Sequence, residues 1–427
     1  MKINKIYVML LGLILCVPLL QSCLKDDEEI FDTNASARLQ QAMSEAKAVL
    51  VSSEEGWVFE MYPESSQSYG GYVFTVRFDD EYVYARTELA GDNTSEISSY
   101  YKMTDDNGPV LSFDTYNTYL HYFSTPSSSA YEAYEGEFEF VVVSATEDLV
   151  TLRGKKTGNT MYLRKLTESA ESYLDKVTAM DADMIFSGFE GTIAGQTATV
   201  TLDSDYRQIS FADAEGETTS VAYTVTDTGI RFYEPIEFLG QSMSSLVVDT
   251  ENYKLLSDEG VEMDLTAVFP DGWRAYADYA GEYTLSYMNG EASVDVTLTP
   301  AVNNSTYLMS GLNDNYDITL TYVKSSGSLQ WLSQAIGTSG STTIWLCAWS
   351  YNSYLTWSTS VGLVTVWNGD EENPVYTFED NGVWGSYVVD SFYLYQETSG
   401  SYTSCYDTAW YPDGRRYLGY VVSLTKK

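Results

Sequence analysis

The sequence predicts a mainly β chain: antiparallel meanders forming sandwiches or barrels, a lipocalin-like closure among the options, with one or two short helices toward the N-terminal side. Three observations predict it. Runs rich in Val, Tyr, Phe and Thr alternate with polar residues along most of the chain, the period-two pattern of half-buried strands. Turn-forming residues break those runs every eight to twelve residues or so, the spacing of small all-β domains. Tyrosine is abundant, at 37 of 427 residues, and it favours strands.

The N-terminal segment is organised differently. Lys2 and Lys5 precede fifteen mostly apolar residues, Ile6–Leu20, followed by Gln21-Ser22-Cys23. Fifteen residues fall short of the about 20 that a spanning helix needs. A basic, then apolar, then small layout is that of a secretory signal, and the cysteine directly after the small residue resembles a bacterial lipoprotein signal. That resemblance implies removal of residues 1–22 and attachment of a lipid to Cys23. Residues 23–33 then form an acidic tether, in which Asp26, Asp27, Glu28 and Glu29 repel one another and stay extended. Such a run resembles the surface-export signal of Bacteroidota lipoproteins, which implies anchoring in the outer membrane with the body facing the cell exterior.

Removing residues 1–22 removes two lysines and no acid, which leaves 21 basic against 61 acidic residues, a net charge of −40. That balance argues against electrostatic binding of nucleic acid or of anionic membrane surfaces. Membrane contact is expected through the lipid alone.

Residues 34–52 predict a helix, capped by Asn34 or Ser36, with Leu39, Met43, Ala46 and Leu50 on one stripe. Strands are expected over 57–62, 71–78 and 82–89, and on both sides of the turn GKKTGN (154–159). A second helix is expected near 169–182, with Tyr173, Val177 and Met180 on one face, and strands then resume to Phe269. An internal echo links Tyr101–Asp105 and Gly108 with Tyr223–Asp227 and Gly229. Either a helix-plus-meander unit is duplicated, over 34–166 and 167–272, or two turns share the Thr, Asp and Gly that turns require.

Past residue 274 the composition changes. Residues 275–427 hold 5 basic and 15 acidic residues in 153, against 16 and 46 in the 252 residues from 23 to 274, and seven of nine tryptophans lie at or after Trp331. A separate all-β domain over 275–427 is the simplest cause. Its first strands are expected at 282–287, 293–299, 306–310 and 317–323, with a hairpin turn at Asn289-Gly290.

The stretches GPVLSFDTYN (108–117), GEFEFVV (136–142), GKKTGN (154–159) and TDTGIRFYEP (226–235), with Trp57 after a helix, resemble the Bacteroidota lipoprotein family catalogued as domain of unknown function 4302, over about residues 30–270. The resemblance implies a setting beside outer-membrane nutrient-uptake systems, and so an outer-membrane transporter complex as partner. It brings no catalytic or binding residues with it, and it is weaker in the C-terminal part.

Catalytic chemistry is sparse. His121 is the only histidine. Zinc sites need three or four Cys, His or carboxylate ligands, so no metal or cofactor is expected, and the aromatic neighbours of His121 make it structural. A Ser-His-Asp triad would have to use it, and no GxSxG elbow is present. Asn313–Asp317 and Asp181-Ala182-Asp183 offer oxygen ligands, but neither follows the EF-hand spacing, and a turn or cap is the simpler role. GKKTGN lacks the order of a phosphate loop; its lysines, with Arg153, Arg164 and Lys165, form a basic patch suited to pairing with the protein's own acids. Cys347 and Cys405 can form a disulfide or stay as two buried thiols.

The richest constellation is Trp331, Trp345, Trp349, Tyr351, Tyr354 and Trp357. Trp345 and Trp349 share one face of a strand, which either packs into the core or lies open. Tyr351, Tyr354 and Trp357, flanked by Asn and Ser, are the candidate ligand-binding residues, because sugars stack apolar C–H faces on such rings. The function expected is therefore binding of a glycan or other polymeric nutrient as an accessory to uptake. The alternatives are an adhesive, protein-binding lipoprotein and a hydrolase.

Overall fold

The computed structural model describes residues 34–427 except Asn107, Ser129 and Asn352. The expected signal (1–22), tether (23–33) and lipid site Cys23 lie outside the described residues. The chain is mainly β and antiparallel, with two α-helices. It divides into two compact units, one of residues up to 67 with 72–174, the other of 68–71 with 175–427.

In the first unit, helix α1 spans Ala35–Ser52. Asn34 caps it, its Oδ1 accepting the Ala37 N–H at 2.8 Å, which satisfies one of the donors a helix start leaves open. Ala46 and Leu50 are buried from its apolar stripe, and the Trp57 indole N–H donates to the Leu50 carbonyl at 2.9 Å. Nine strands form one sheet, in the spatial order 97–100, 82–87, 72–78, 57–61, 160–165, 149–154, 139–145, 109–112, 102–105. The two end strands are separated in the chain by Tyr101 alone, so the sheet curls until its ends meet: a split barrel. Tyr101 is buried there, its hydroxyl donating to the Asp79 carbonyl at 2.8 Å. Helix α1 packs against strands 102–105 and 109–112 on one side of the split and 72–78 on the other. The interior is aromatic, with Phe59 edge-on to Phe140 at 5.4 Å.

Helix α2, Ala170–Asp183, contains the division between the units. In the second unit, eight strands from Gly188 to Val268 form a closed barrel, sealed by pairing of Met263–Val268 with Gly188–Ile193. Gly229 starts one of them at φ +157°, and a Cβ there would lie 2.2 Å from the Leu246 carbonyl oxygen. The echo noted in the sequence consists of two strand–turn–strand hairpins, 102–105 with 109–112 and 218–225 with 229–238. The first ends the split sheet, whereas the second lies inside the closed barrel.

A further eight-stranded barrel uses Gly281–Tyr287, Ala292–Val302, Thr306–Asn313, Tyr316–Val323, Ser328–Leu332, Gly362–Trp367, Val375–Asp380 and Ser423–Lys426. Tyr283, Leu285 and Tyr287 alternate inward along its first strand, and Asn289 and Gly290 take left-handed backbone at φ +56° and +90°, as a tight hairpin requires. The segments 333–361 and 381–422 leave this barrel and build a six-stranded sheet from 334–339, 342–349, 355–356, 391–398, 401–404 and 417–418. One face of that sheet joins the barrel core: Ile344, Leu346, Phe392 and Leu394 pack in the same cluster as Trp331 and Leu363.

Candidate ligand-binding face

The strand 342–349 reads Thr-Thr-Ile-Trp-Leu-Cys-Ala-Trp, and successive side chains point to opposite faces. Ile344, Leu346 and Ala348 go into the core, so Trp345, Cys347 and Trp349 go to the outer face. The neighbouring strand 391–398 does the same with Phe392 and Leu394 inside and Tyr393 and Tyr395 outside. The register sets Trp345 opposite Tyr395 and Cys347 opposite Tyr393, and Tyr393 opposite Tyr417. Trp345 and Trp349 do share a face, as their spacing predicts. That face is the half-exposed outer one, whereas Trp331 is buried in the core.

The outer rings form a connected layer. Tyr420 meets Tyr351 at 4.4 Å, Tyr351 meets Trp349 at 4.6 Å, and Trp349 meets Tyr393 edge-on at 5.3 Å. Tyr393 continues to Tyr395 at 5.8 Å, and Trp357 stands edge-on to Tyr395 at 5.2 Å and near Tyr402 at 5.0 Å. Most of these rings are half-buried, and Tyr402 is exposed. Of the three sequence candidates, the structure brings Tyr351 and Trp357 to this one face. Tyr354 is placed apart: it is 61% exposed and meets Tyr387, which meets Trp384. The Ser350 N–H donates to the Tyr354 carbonyl, a turn that sends Tyr354 away from Tyr351. Tyr393, Tyr395, Tyr402, Tyr417 and Tyr420 are members the sequence reading missed. The alternation Phe-Tyr-Leu-Tyr at 392–395 was the signal that could have found the first two.

The polar surround is small. The Arg416 Nε–H donates to the Tyr411 hydroxyl at 3.0 Å, and its guanidinium lies 5.0 Å from the Tyr406 ring. Those hydroxyl contacts, to Tyr411 and Tyr393, raise its pKa above the ordinary value. Asp390 accepts from the Tyr351 N–H at 3.0 Å and the Ser391 hydroxyl at 2.7 Å. Burial against its neighbours, and then Tyr417, raise the Tyr351 phenol above its usual value. The face can stack on apolar surfaces and offers phenol hydroxyls for hydrogen bonding.

Cys347 and Cys405 are both free and buried, which overturns the disulfide option. Cys405 packs in the barrel core cluster with Leu346 and Leu394, whereas Cys347 points to the outer face of the same sheet. Thiols on opposite faces of a sheet cannot meet the short Cα and Cβ separations of a disulfide.

The other motifs are structural. His121 is buried, its Nδ1 3.2 Å from the backbone of Asn117, with Phe138 stacked on its ring at 5.0 Å. Burial pushes its pKa down. GKKTGN is a hairpin tip whose Lys155 pairs with Asp106 at 2.8 Å and Glu139 at 3.1 Å; Arg164 pairs with Glu60 and Lys165 with Glu147. Asn313 and Asn315 donate to the Ala409 carbonyl, while Asp181 and Asp183 pair with Arg207 and Lys324. Among the described residues no group of three Cys, His, Asp or Glu is placed to hold a metal, and no helix is long and apolar enough to cross a membrane.

Comparison with known proteins agrees with the sequence resemblance. A domain of unknown function, DUF4987, matches residues 257–395, and no curated protein matches the chain. Two solved structures align along most of it: an H. pylori beta clamp in complex with 5-chloroisatin, at 10% identity over 91% of this chain and 97% of that one, and the beta subunit of DNA polymerase from Streptococcus pyogenes, at 12% over 80% and 96%. Both have a TM-score of 0.11 and carry no argument about fold or function. The family described as Domain of unknown function (DUF4302) matches residues 27–250, more than half of the chain, and the protein belongs to that family.

Proposed function

We propose that the protein is a cell-surface lipoprotein that binds a neutral glycan, or another polymeric nutrient with apolar faces, as an accessory to an outer-membrane uptake system. The observation that carries the reading is the outer aromatic layer of the C-terminal sheet, where Tyr420, Tyr351, Trp349, Tyr393, Tyr395, Trp357 and Tyr402 form an unbroken series of ring contacts. Rings held by their neighbours lose little freedom on binding. The low charge of residues 275–427 suits a neutral ligand, and the layout around Cys23 with the acids behind it supports the location.

Affinity electrophoresis through gels containing starch, mannan, xylan or β-glucan tests the binding. Retardation of the wild type in at least one gel, lost in Trp349→Ala and Trp357→Ala, is expected. Equal migration of all three proteins in every gel would sink the glycan reading and favour a protein partner. Labelling with a palmitate analogue, absent from Cys23→Ser, tests the anchor.

A further inference from the structure

The loop joining strands 109–112 and 139–145 lies within the first unit. Residues 115–131 contain no Asp, Glu, Lys or Arg, and burial lowers the pKa of His121. The same loop forms a cleft of about 270 Å³ lined by Tyr116, Thr118, Tyr122, Thr125, Pro126, Ser127 and Tyr134. Tyr116 is 60% exposed and Tyr122 is 44% exposed. Tyr122 and Tyr134 lie parallel, 6.1 Å apart with 9° between their planes.

The cleft is rigidly supported from below. Asn117 is fully buried: its side-chain amide donates to the Ile97 carbonyl and the Ser99 hydroxyl at 3.2 Å each, while its Oδ1 accepts the N–H groups of Tyr119 and Leu120. Buried Phe123 sits edge-on to Tyr122 at 5.0 Å, and its carbonyl accepts the N–H groups of Tyr134 and Gly136. Tyr122 and Tyr134 are therefore held in place before any ligand arrives, which lowers the entropy lost on binding.

We infer that this cleft is a second saccharide site, in which Tyr116 and Tyr122 stack on the apolar C–H face of a neutral sugar ring bordered by the hydroxyls of Thr118, Thr125 and Ser127. Aromatic faces beside hydroxyls match the alternating C–H and O–H surfaces of a sugar, and none of the residues lining the cleft carries a charge to pair with a charged ligand. The volume lies near the lower end of ligand pockets, about 300 Å³, so the cleft takes one sugar residue or a chain end rather than a long chain. It stands on its own residues and does not depend on the C-terminal face.

The test is isothermal titration of the full chain carrying Trp349→Ala, which disables the other face, with maltohexaose, cellohexaose and mannohexaose. Hexagalacturonate and decaproline serve as the charged and peptide controls. Binding of at least one neutral hexasaccharide is expected, weakened roughly tenfold by Tyr116→Ala or Tyr122→Ala with Tm unchanged, and abolished by Thr118→Trp, which fills the cleft without removing a ring. No neutral saccharide bound in that background, affinity indifferent to all three changes, or a preference for decaproline or hexagalacturonate would each overturn the assignment. Failure of the C-terminal face reads out separately: saccharide affinity that Trp349→Ala leaves untouched but Tyr122→Ala removes refutes that face and upholds the cleft.

Discussion

Phe392 and Tyr393 are neighbours in the chain and belong to two different aromatic layers: Phe392 stacks on buried Trp331 at 4.6 Å, while Tyr393 meets half-exposed Trp349 at 5.3 Å on the other side of the sheet. One sheet thus separates rings that hold the fold from rings that are free to meet a ligand.

The two layers should respond differently to truncation. Trp331→Ala leaves a large hole in the core and should cost about 3–5 kcal/mol. Trp349→Ala should cost about 1 kcal/mol or less, as partly exposed positions do, yet weaken binding of a neutral glycan about thirtyfold, near 2 kcal/mol. Chemical denaturation and ligand titration on both variants check this; equal destabilisation by the two would contradict the division of layers.

Both thiols should be inert in the folded protein. Burial raises the pKa of Cys347, and burial raises that of Cys405 as well, so little nucleophilic thiolate is present at pH 8. Iodoacetamide at pH 8 should label neither residue natively and both in guanidinium, as read by peptide mass spectrometry. A Cys347–Cys405 linked peptide from the native, unreduced protein would show the assignment to be mistaken.

Alkaline pH should destabilise the protein through its buried phenols. Burial pushes Tyr101 up to about 12, and burial together with Asp413 pushes Tyr287 up to about 12. The unfolded phenols ionise near 10. Between those values the unfolded chain holds fewer protons than the folded one, so stability falls as pH rises. It should be fully present below about pH 10 and decline from there through pH 12. Tm from pH 8 to 12, followed with phenolate absorbance at 295 nm, measures the effect. A Tm constant to pH 11.5 would contradict it.

Glu137 closes the basic hairpin tip from a buried position. Its Oε1 accepts the Lys156 N–H, and its Oε2 accepts the Thr157 N–H at 3.1 Å and the Thr157 hydroxyl at 2.8 Å. Glu137→Ala strands those donors and should cost about 1–3 kcal/mol. Glu137→Gln, which keeps an acceptor, should recover part of that loss in urea melts; identical losses for the two variants would mean that the carboxylate's charge, not its acceptor atoms, matters.

Period-two alternation made most strands legible, including the pairing of Trp345 with Trp349 on one face. Which face looks inward was not legible, because Ile344, Leu346 and Ala348 are as apolar as Trp345, Cys347 and Trp349, and periodicity alone cannot choose between two apolar sides. The separation of Tyr354 from Tyr351 depends on a local turn that spacing does not encode. The sequence offered barrels beside sandwiches, and the choice between them depends on pairings such as Gly188 with Val268, far apart in the chain.

The pairing of Trp57 with Lys165 sets the order in which the first unit can be completed. More than a hundred residues separate these partners, and closing so long a loop is slow and entropically costly. At about 5–20 residues per second, the Trp57–Met61 strand emerges from the ribosome several seconds before its neighbour 160–165 exists. All five of its residues are buried in the finished sheet, so during that interval an apolar, strand-forming segment has only one of its two hydrogen-bonding partners within reach. The moment of greatest exposure to holding chaperones, and of greatest risk of intermolecular pairing, is therefore set by topology, at the centre of the sheet rather than at its edges.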